Sequence, residues 1–341
     1  MAFAPVKEII KESPPFSKLT DLAAERLGGK VLYATDDFFA EKENLIKPGR
    51  GIFITDKYTD RGKWMDGWES RRKRTPGHDW AVLQLATPGR IRGFDIDTNF
   101  FLGNHPPHAS IEALYMGEGE TISDWENAPW KEILPKSPLD PGSQNFYACE
   151  DAGTYTHLRL HIYPDGGVAR LKVYGDVYKN WEAVSADQEV DLAAAINGGK
   201  AIACNDMFFS AMGNLIMPGR GVNMGDGWET KRNRTPNNRD WVILKLAHKG
   251  IVDKIIVDTC HFKGNYPDSC SIEACTAADD REVVNDTATW VTILPQQKLS
   301  ADHIHEFVAE VQRHGAITHV RLNIFPDGGV SRLRLFGKIS K

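Results

Sequence analysis

No part of the 341-residue chain comes near the roughly 20 consecutive apolar residues that a membrane-crossing helix needs. Charge of one sign is not in excess either. Against 41 Lys and Arg stand 46 Asp and Glu, a net charge of −5 that offers no basic surface to nucleic acid or an anionic membrane. Cysteine is scarce: Cys149, Cys204, Cys260, Cys270 and Cys275 make an odd number with no C-x-x-C spacing. That argues against a disulfide framework and a zinc site and fits reduced thiols. The sequence contains no Walker loop, G-x-G-x-x-G, G-x-S-x-G or H-E-x-x-H, which weighs against nucleotide, α/β-hydrolase and zincin chemistry. Its first residues, MAFAPVKEIIKESPPFSK, lack the apolar core of a signal peptide and carry acids that a transit peptide avoids. A cytoplasmic protein without nucleic-acid or membrane partners is expected.

What the chain does have, it has twice. HLRLHIYPDGGVARLKVYG at 157–175 returns as HVRLNIFPDGGVSRLRLFG at 319–337. DLAAERLGGK at 21 returns as DLAAAINGGK at 191, ENLIKPGRG at 43 as GNLIMPGRG at 213, and DGWESRRKRTP at 66 as DGWETKRNRTP at 226. The order of the blocks is kept. The offset falls from 170 to 160 because GIFITDKYTDRGKWM is ten residues longer than its counterpart GVNMG. So long a period is a duplicated domain and not a solenoid. The boundary falls in GDVYKNWEAVSADQEV, which divides the chain into 1–178 and 179–341.

Each half opens with a short helical pattern closed by a Gly pair, Gly28–Gly29 and Gly198–Gly199. Strand signals follow. Leu158, Leu160 and Ile162 alternate with His157, Arg159 and His161, which predicts one buried and one outward face. The PDGG after them predicts a tight hairpin turn. DWVILKL and KIIVDT, separated by a His-Lys-Gly turn, read as a further strand pair. In HIHEFVAEVQRHG at 303 the spacing of Ile304, Phe307, Val308 and Val311 fits a helix, while its counterpart QNFYACEDAG fits an edge strand, the reading favoured here. The pattern as a whole is all-β: two tandem antiparallel sandwiches.

Three duplicated blocks carry candidate chemistry. The first, DGWExxRxRTP, offers Trp68, Glu69, Arg72 and Arg74, repeated as Trp228, Glu229, Arg232 and Arg234. Arginine forks suit a carboxylate ligand, and a desolvated Glu can exchange protons. The second block supplies Asn104, His105 and Glu112, matched by Asn265, Tyr266 and Glu273. His105 is the natural proton shuttle. His105 and His108 flank a Pro-Pro that the second half lacks, so no metal ligand set is assigned. The third block supplies Asp36 and Asn44, with Asp206 and Asn214 as equivalents. Arg170 and Arg332, after the turns, are expected to cover the sandwich rim, as are His157 and His319.

Taken in order and in two copies, the DGWExxR motifs, FFLGNHPPHASIEA at 100–113, FKGNYPDSCSIEA at 262–274 and the PDGGVxRL turns resemble the allantoicase family from about residue 20 to 338. The resemblance implies two jelly-roll sandwiches of the galactose-binding-like kind. It also implies hydrolysis of allantoate to ureidoglycolate and urea in purine breakdown. On that chemistry, Arg72 or Arg74 clamps the substrate carboxylate, and Asn44 and Asn104 bind the ureido groups. Glu69 and His105 share the proton transfers, with Asp36 or Glu112 orienting one of them. No cofactor is expected, although ureohydrolases of another fold use metal-activated water, which keeps a divalent ion open. A homo-oligomer is expected. The alternative is a tandem carbohydrate- or ligand-binding module without catalysis, although the residues shared by the halves are polar and not aromatic platforms.

Overall fold

The computed structural model describes residues 13–341; the N-terminal segment read above for targeting signals lies mostly outside them. The chain divides into two compact units between Tyr178 and Lys179, and each is a jelly-roll β-sandwich. A family of short strands hangs on one long one in each unit. In the first it is Asp79–Asp97, in the second Asp240–Asp258.

These long strands correct one expectation. DWVILKL and KIIVDT are not a pair joined by a turn but the two ends of a single strand, irregular around Gly250. The glycine marks a bend. A Cβ on Gly250 would lie 2.5 Å from the Lys338 carbonyl, so the position serves close backbone approach and not chain reversal. Gly89 sits at the same bend in the first unit.

The bend lets one strand serve both layers. Before it, Asp79–Gln84 pairs with Tyr155–Tyr163 on one side and with Lys30–Ala34 on the other. Beyond it, Gly89–Asp97 pairs with Arg170–Val177 and with Phe146–Ala148. The sheet so formed folds over itself. Leu83, Ile111, Leu158 and Leu160 from one part meet Phe94, Ile96, Leu171 and Val173 from the other in one buried cluster. Its second-unit counterpart uses Ile317–Phe325, Arg332–Ile339 and Ile304–Phe307, so of the stretch at 303 only Ile304–Phe307 is strand and the residues after it, to Gly315, are irregular.

The PDGG stretch is likewise not a hairpin. Tyr155–Tyr163 and Arg170–Val177 do not pair with each other; both pair with the long strand, one on each side of its bend. PDGG is the corner by which the chain passes between layers. Gly166 and Gly328 sit there at φ +133° and +131°.

Burial overturns two further expectations. His157, Arg159 and His161 alternate with core residues yet are themselves buried: Trp125 packs against His157, Trp130 against Arg159, and His78 and Tyr163 against His161. Arg170 and Arg332 do not cover a rim. Each is 3% exposed and ion-paired at 2.8 Å, with Asp66 and Asp226 respectively. The opening helical pattern is a three-residue 3-10 turn in each unit, Glu25–Leu27 and Ala195–Asn197, closed by Gly28 and Gly198 at positive φ. No described helix is long and apolar enough to cross a membrane.

Candidate active site

The first-unit site is assembled on the PDGG corner. The short strand Trp68–Glu69 pairs with Gly167–Val168, which places Glu69 opposite Gly167. The Ser70 N–H donates to the Gly166 carbonyl at 3.1 Å, and the Lys73 N–H donates to Asp165 Oδ2 at 2.7 Å. From the other side, the Gly167 N–H donates to the Asn104 carbonyl at 2.8 Å. Three segments distant in sequence are thus pinned to one another by main-chain groups. A Cβ on Gly166 would stand 2.5 Å from that same Asn104 carbonyl.

These contacts gather Glu69, Arg72, Lys73, Asn104 and His105 around an open cavity of about 500 Å³, a size typical of small-molecule sites. Asn104 Nδ2 donates to Glu69 Oε1 at 2.7 Å. Burial pushes the Glu69 carboxyl above the usual range, and the Asn104 amide opposes that shift without cancelling it. His105 Nδ1 is enclosed and meets no hydrogen-bond partner among the described residues. A second cavity of about 640 Å³ adjoins the first, shares Phe39, Arg72 and Lys73 with it, and adds Asp36 and Arg74. Arg72 and Arg74 are exposed, and no described group pairs with either guanidinium. Lys73 is held instead, its Nζ 2.6 Å from the buried Asp79.

Other residues named from the sequence lie elsewhere or do other work. Trp68 is fully buried, its indole N–H donating to the Asp36 carbonyl at 2.8 Å, so it is core and not a wall of the cavity. Burial pushes Asp36 up, but hydrogen bonds from the Phe38 N–H and from Arg71 outweigh it and hold the carboxyl low. Asp36 therefore fixes the loop as an anion. Asn44 is buried, with its Nδ2 donating to the Gly67 carbonyl at 2.9 Å; Asn214 does the same to Gly227. His108 begins the strand His108–Leu114, opposite Tyr163, and does not line the cavity.

Glu112 belongs to a different cluster on the sheet face. Its Oε2 accepts from Arg159 Nε and lies within hydrogen-bonding distance of His161 Nε2, both at 2.7 Å, while His161 Nδ1 meets His78 Nε2 at 2.8 Å. Burial pushes Glu112 up, but His161 and Arg159 together hold it below the usual range. Glu273 is held the same way, by Asn323 and Arg321 at 2.9 Å each.

Three cavity residues escaped the sequence reading: Ser70, Lys73 and Asp165. One signal was available, since Asp165 recurs as Asp327 with the same role. Among the described residues, no group of three or more His, Cys, Asp or Glu side chains is arranged to hold a metal ion.

The second unit repeats the frame. Asn265 donates to Glu229, and Asp327 Oδ2 accepts the Asn233 N–H at 2.8 Å. Asp206 Oδ1 accepts the Lys231 N–H at 2.9 Å.

A family model described as Allantoicase repeat matches residues 20–178 and again 190–340. A protein of Pseudomonas fluorescens described as a probable allantoicase is 53% identical over 328 residues, which spans 96% of this chain and 98% of that one. One from Photobacterium profundum, described in the same words, is 53% identical over 324 residues, spanning 94% and 97%. Among solved structures, the allantoicase of Saccharomyces cerevisiae superimposes with a TM-score of 0.79 at 37% identity over 94% of each chain.

Proposed function

Since this chain belongs to the allantoicase family, we propose that the cavity of its first repeat is where the family's reaction is carried out. The protein is a hydrolase that converts allantoate to ureidoglycolate and urea in purine degradation. Allantoate carries a carboxylate and two ureido arms on one carbon. The reaction breaks one bond from that carbon to a ureido nitrogen, puts a water-derived hydroxyl on the carbon and a proton on the departing nitrogen.

The observation that supports the assignment is the Glu69–Asn104 hydrogen bond inside a cavity that also holds His105. A carboxyl whose pKa is raised by burial keeps its proton to higher pH, which suits a general acid. Glu69 hands that proton to the leaving nitrogen, and His105 takes one from the attacking water. Arg72 and Arg74 grip the carboxylate, leaving the ureido arm to face Glu69. Asn104 orients Glu69, and Asp36 holds the loop through Arg71.

Because Glu69 and His105 supply both proton transfers, the reaction is assigned no cofactor. The enzyme is assigned to the cytoplasm, where its five free thiols stay reduced. A homo-oligomer is the assigned state, supported by the exposed apolar side chains Ile52, Phe53, Ile54 and Tyr58 of the first-repeat insertion. Sedimentation of the pure protein tests that state, and a monomer at micromolar concentration would refute it.

The first test follows urea release from allantoate, with and without a strong chelator, in the native protein and in Glu69→Gln. The native protein should release urea at the same rate in both conditions. Glu69→Gln should lose about two to four powers of ten in kcat. Loss of activity on chelation would overturn the cofactor-free assignment, and near-native kcat in Glu69→Gln would remove Glu69 from the chemistry.

A further inference from the structure

The corner is built twice, but the groups standing on it differ. Everything assigned above to holding the ligand has a second-repeat counterpart. Asn265 donates to Glu229, and the Gly329 N–H donates to the Asn265 carbonyl at 2.8 Å. Arg232 and Arg234 are exposed and, like Arg72 and Arg74, have no partner among the described residues.

Of the two groups assigned to moving protons, the acid has a counterpart in Glu229, but the base that takes a proton from water has none. Tyr266 stands where the first repeat has His105, and a phenol is a poor proton acceptor near neutral pH, where imidazole is suited to the task. Asn233 stands where the first repeat has Lys73. Its amide is turned aside, donating to Asn238 Oδ1 at 2.9 Å. A thioether adds an apolar edge, with Met224 Sδ 3.8 Å from Asn265 Nδ2. The ligand-holding groups survive, while the general base of the proton-moving pair does not.

We propose that the second repeat carries a ligand site that binds small carboxylates bearing a ureido or amide group and does not cleave them. The inference rests on the reading of the first repeat as the cleaving site. Its arginine pair suits the carboxylate, and the Glu229–Asn265 pair presents both an acceptor and a donor to a ureido group.

Titration calorimetry with allantoate on the Glu69→Gln protein tests it, because substrate then survives long enough to be counted. Two allantoate molecules should bind per chain. Adding Arg232→Ala should weaken one of the two by tenfold or more and leave the other. Adding Asn265→Ala instead should do the same, with the melting midpoint of each variant checking that the second repeat is folded. A single molecule per chain, insensitive to both substitutions, would overturn the second site while leaving the first repeat's role intact. Urea still released by Glu69→Gln and abolished by adding Glu229→Gln would overturn both readings at once.

Discussion

Glu69 and Asn104 are 35 positions apart in sequence and 2.7 Å apart in space, and the direction of their coupling can be measured. Burial raises the Glu69 pKa, and the Asn104 amide lowers it by favouring the carboxylate. An acid works only while protonated, so kcat should fall as pH rises through the Glu69 pKa, giving an alkaline limb. Asn104→Ala removes the lowering contact. It should move that limb to higher pH even though kcat at the plateau drops. A limb that stays in place in the kcat–pH profile would show that another group titrates there. At this scale the sequence was informative but did not distinguish roles. Glu69, Arg72, Asn104 and His105 stand in duplicated motifs and do meet in one cavity. Trp68 stands in the same motif and is core, because a motif records that a residue is needed without recording which way it faces. Lys73 lay unmarked in a run of basic residues, and only its partner Asp79 distinguishes it from its neighbours.

Among the elements, the corner at Gly166 couples backbone geometry to the site. Alanine there would have to hold φ +133° with its Cβ 2.5 Å from the Asn104 carbonyl. Gly166→Ala should cost about 1–3 kcal/mol of stability and displace the Asn104–His105 segment, lowering kcat. Gly328→Ala meets Asn265 in the same way and should cost a similar amount, with a smaller loss of kcat. Thermal melting and steady-state rates on the two variants separate these effects, and equal losses of kcat would argue against a single cleaving repeat. The strands themselves were legible from period-two alternation, and their partners were not. A turn signal says where the chain changes direction, but pairing here is settled by contacts across the sandwich. PDGG therefore looked like a hairpin and is a crossing, and Gly250 looked like a turn and is a bend.

For the whole molecule, the duplication was the most legible feature, since both copies keep long blocks in order. Stability was the least legible. Asp95 is 2% exposed, with Oδ2 accepting from Gln144 at 2.6 Å and Oδ1 enclosed without a partner among the described residues. Burial, helped by the charge of Asp97, pushes its carboxyl from 3.8 up to about 7. The folded protein therefore binds a proton that the unfolded chain releases. The resulting loss of stability begins as pH rises past the ordinary carboxylate range and is complete just above pH 7, amounting to about 4 kcal/mol. Asp95→Asn should raise the melting midpoint at pH 8 and leave it unchanged near pH 3. A midpoint unchanged at pH 8 would mean that Asp95 ionises as readily in the fold as in the unfolded chain.

The corner also sets a timetable for synthesis. Ser70 is pinned by Gly166 and Lys73 by Asp165, 96 and 92 positions further along the chain. No piece of the cavity can be finished while the ribosome is still making the middle of the first repeat. The pocket closes only when the two glycines after Asp165 have emerged and docked. Nascent chains stalled before that point should fail to bind allantoate. Those stalled beyond Val177, with enough further chain to clear the ribosome, should gain binding in one step.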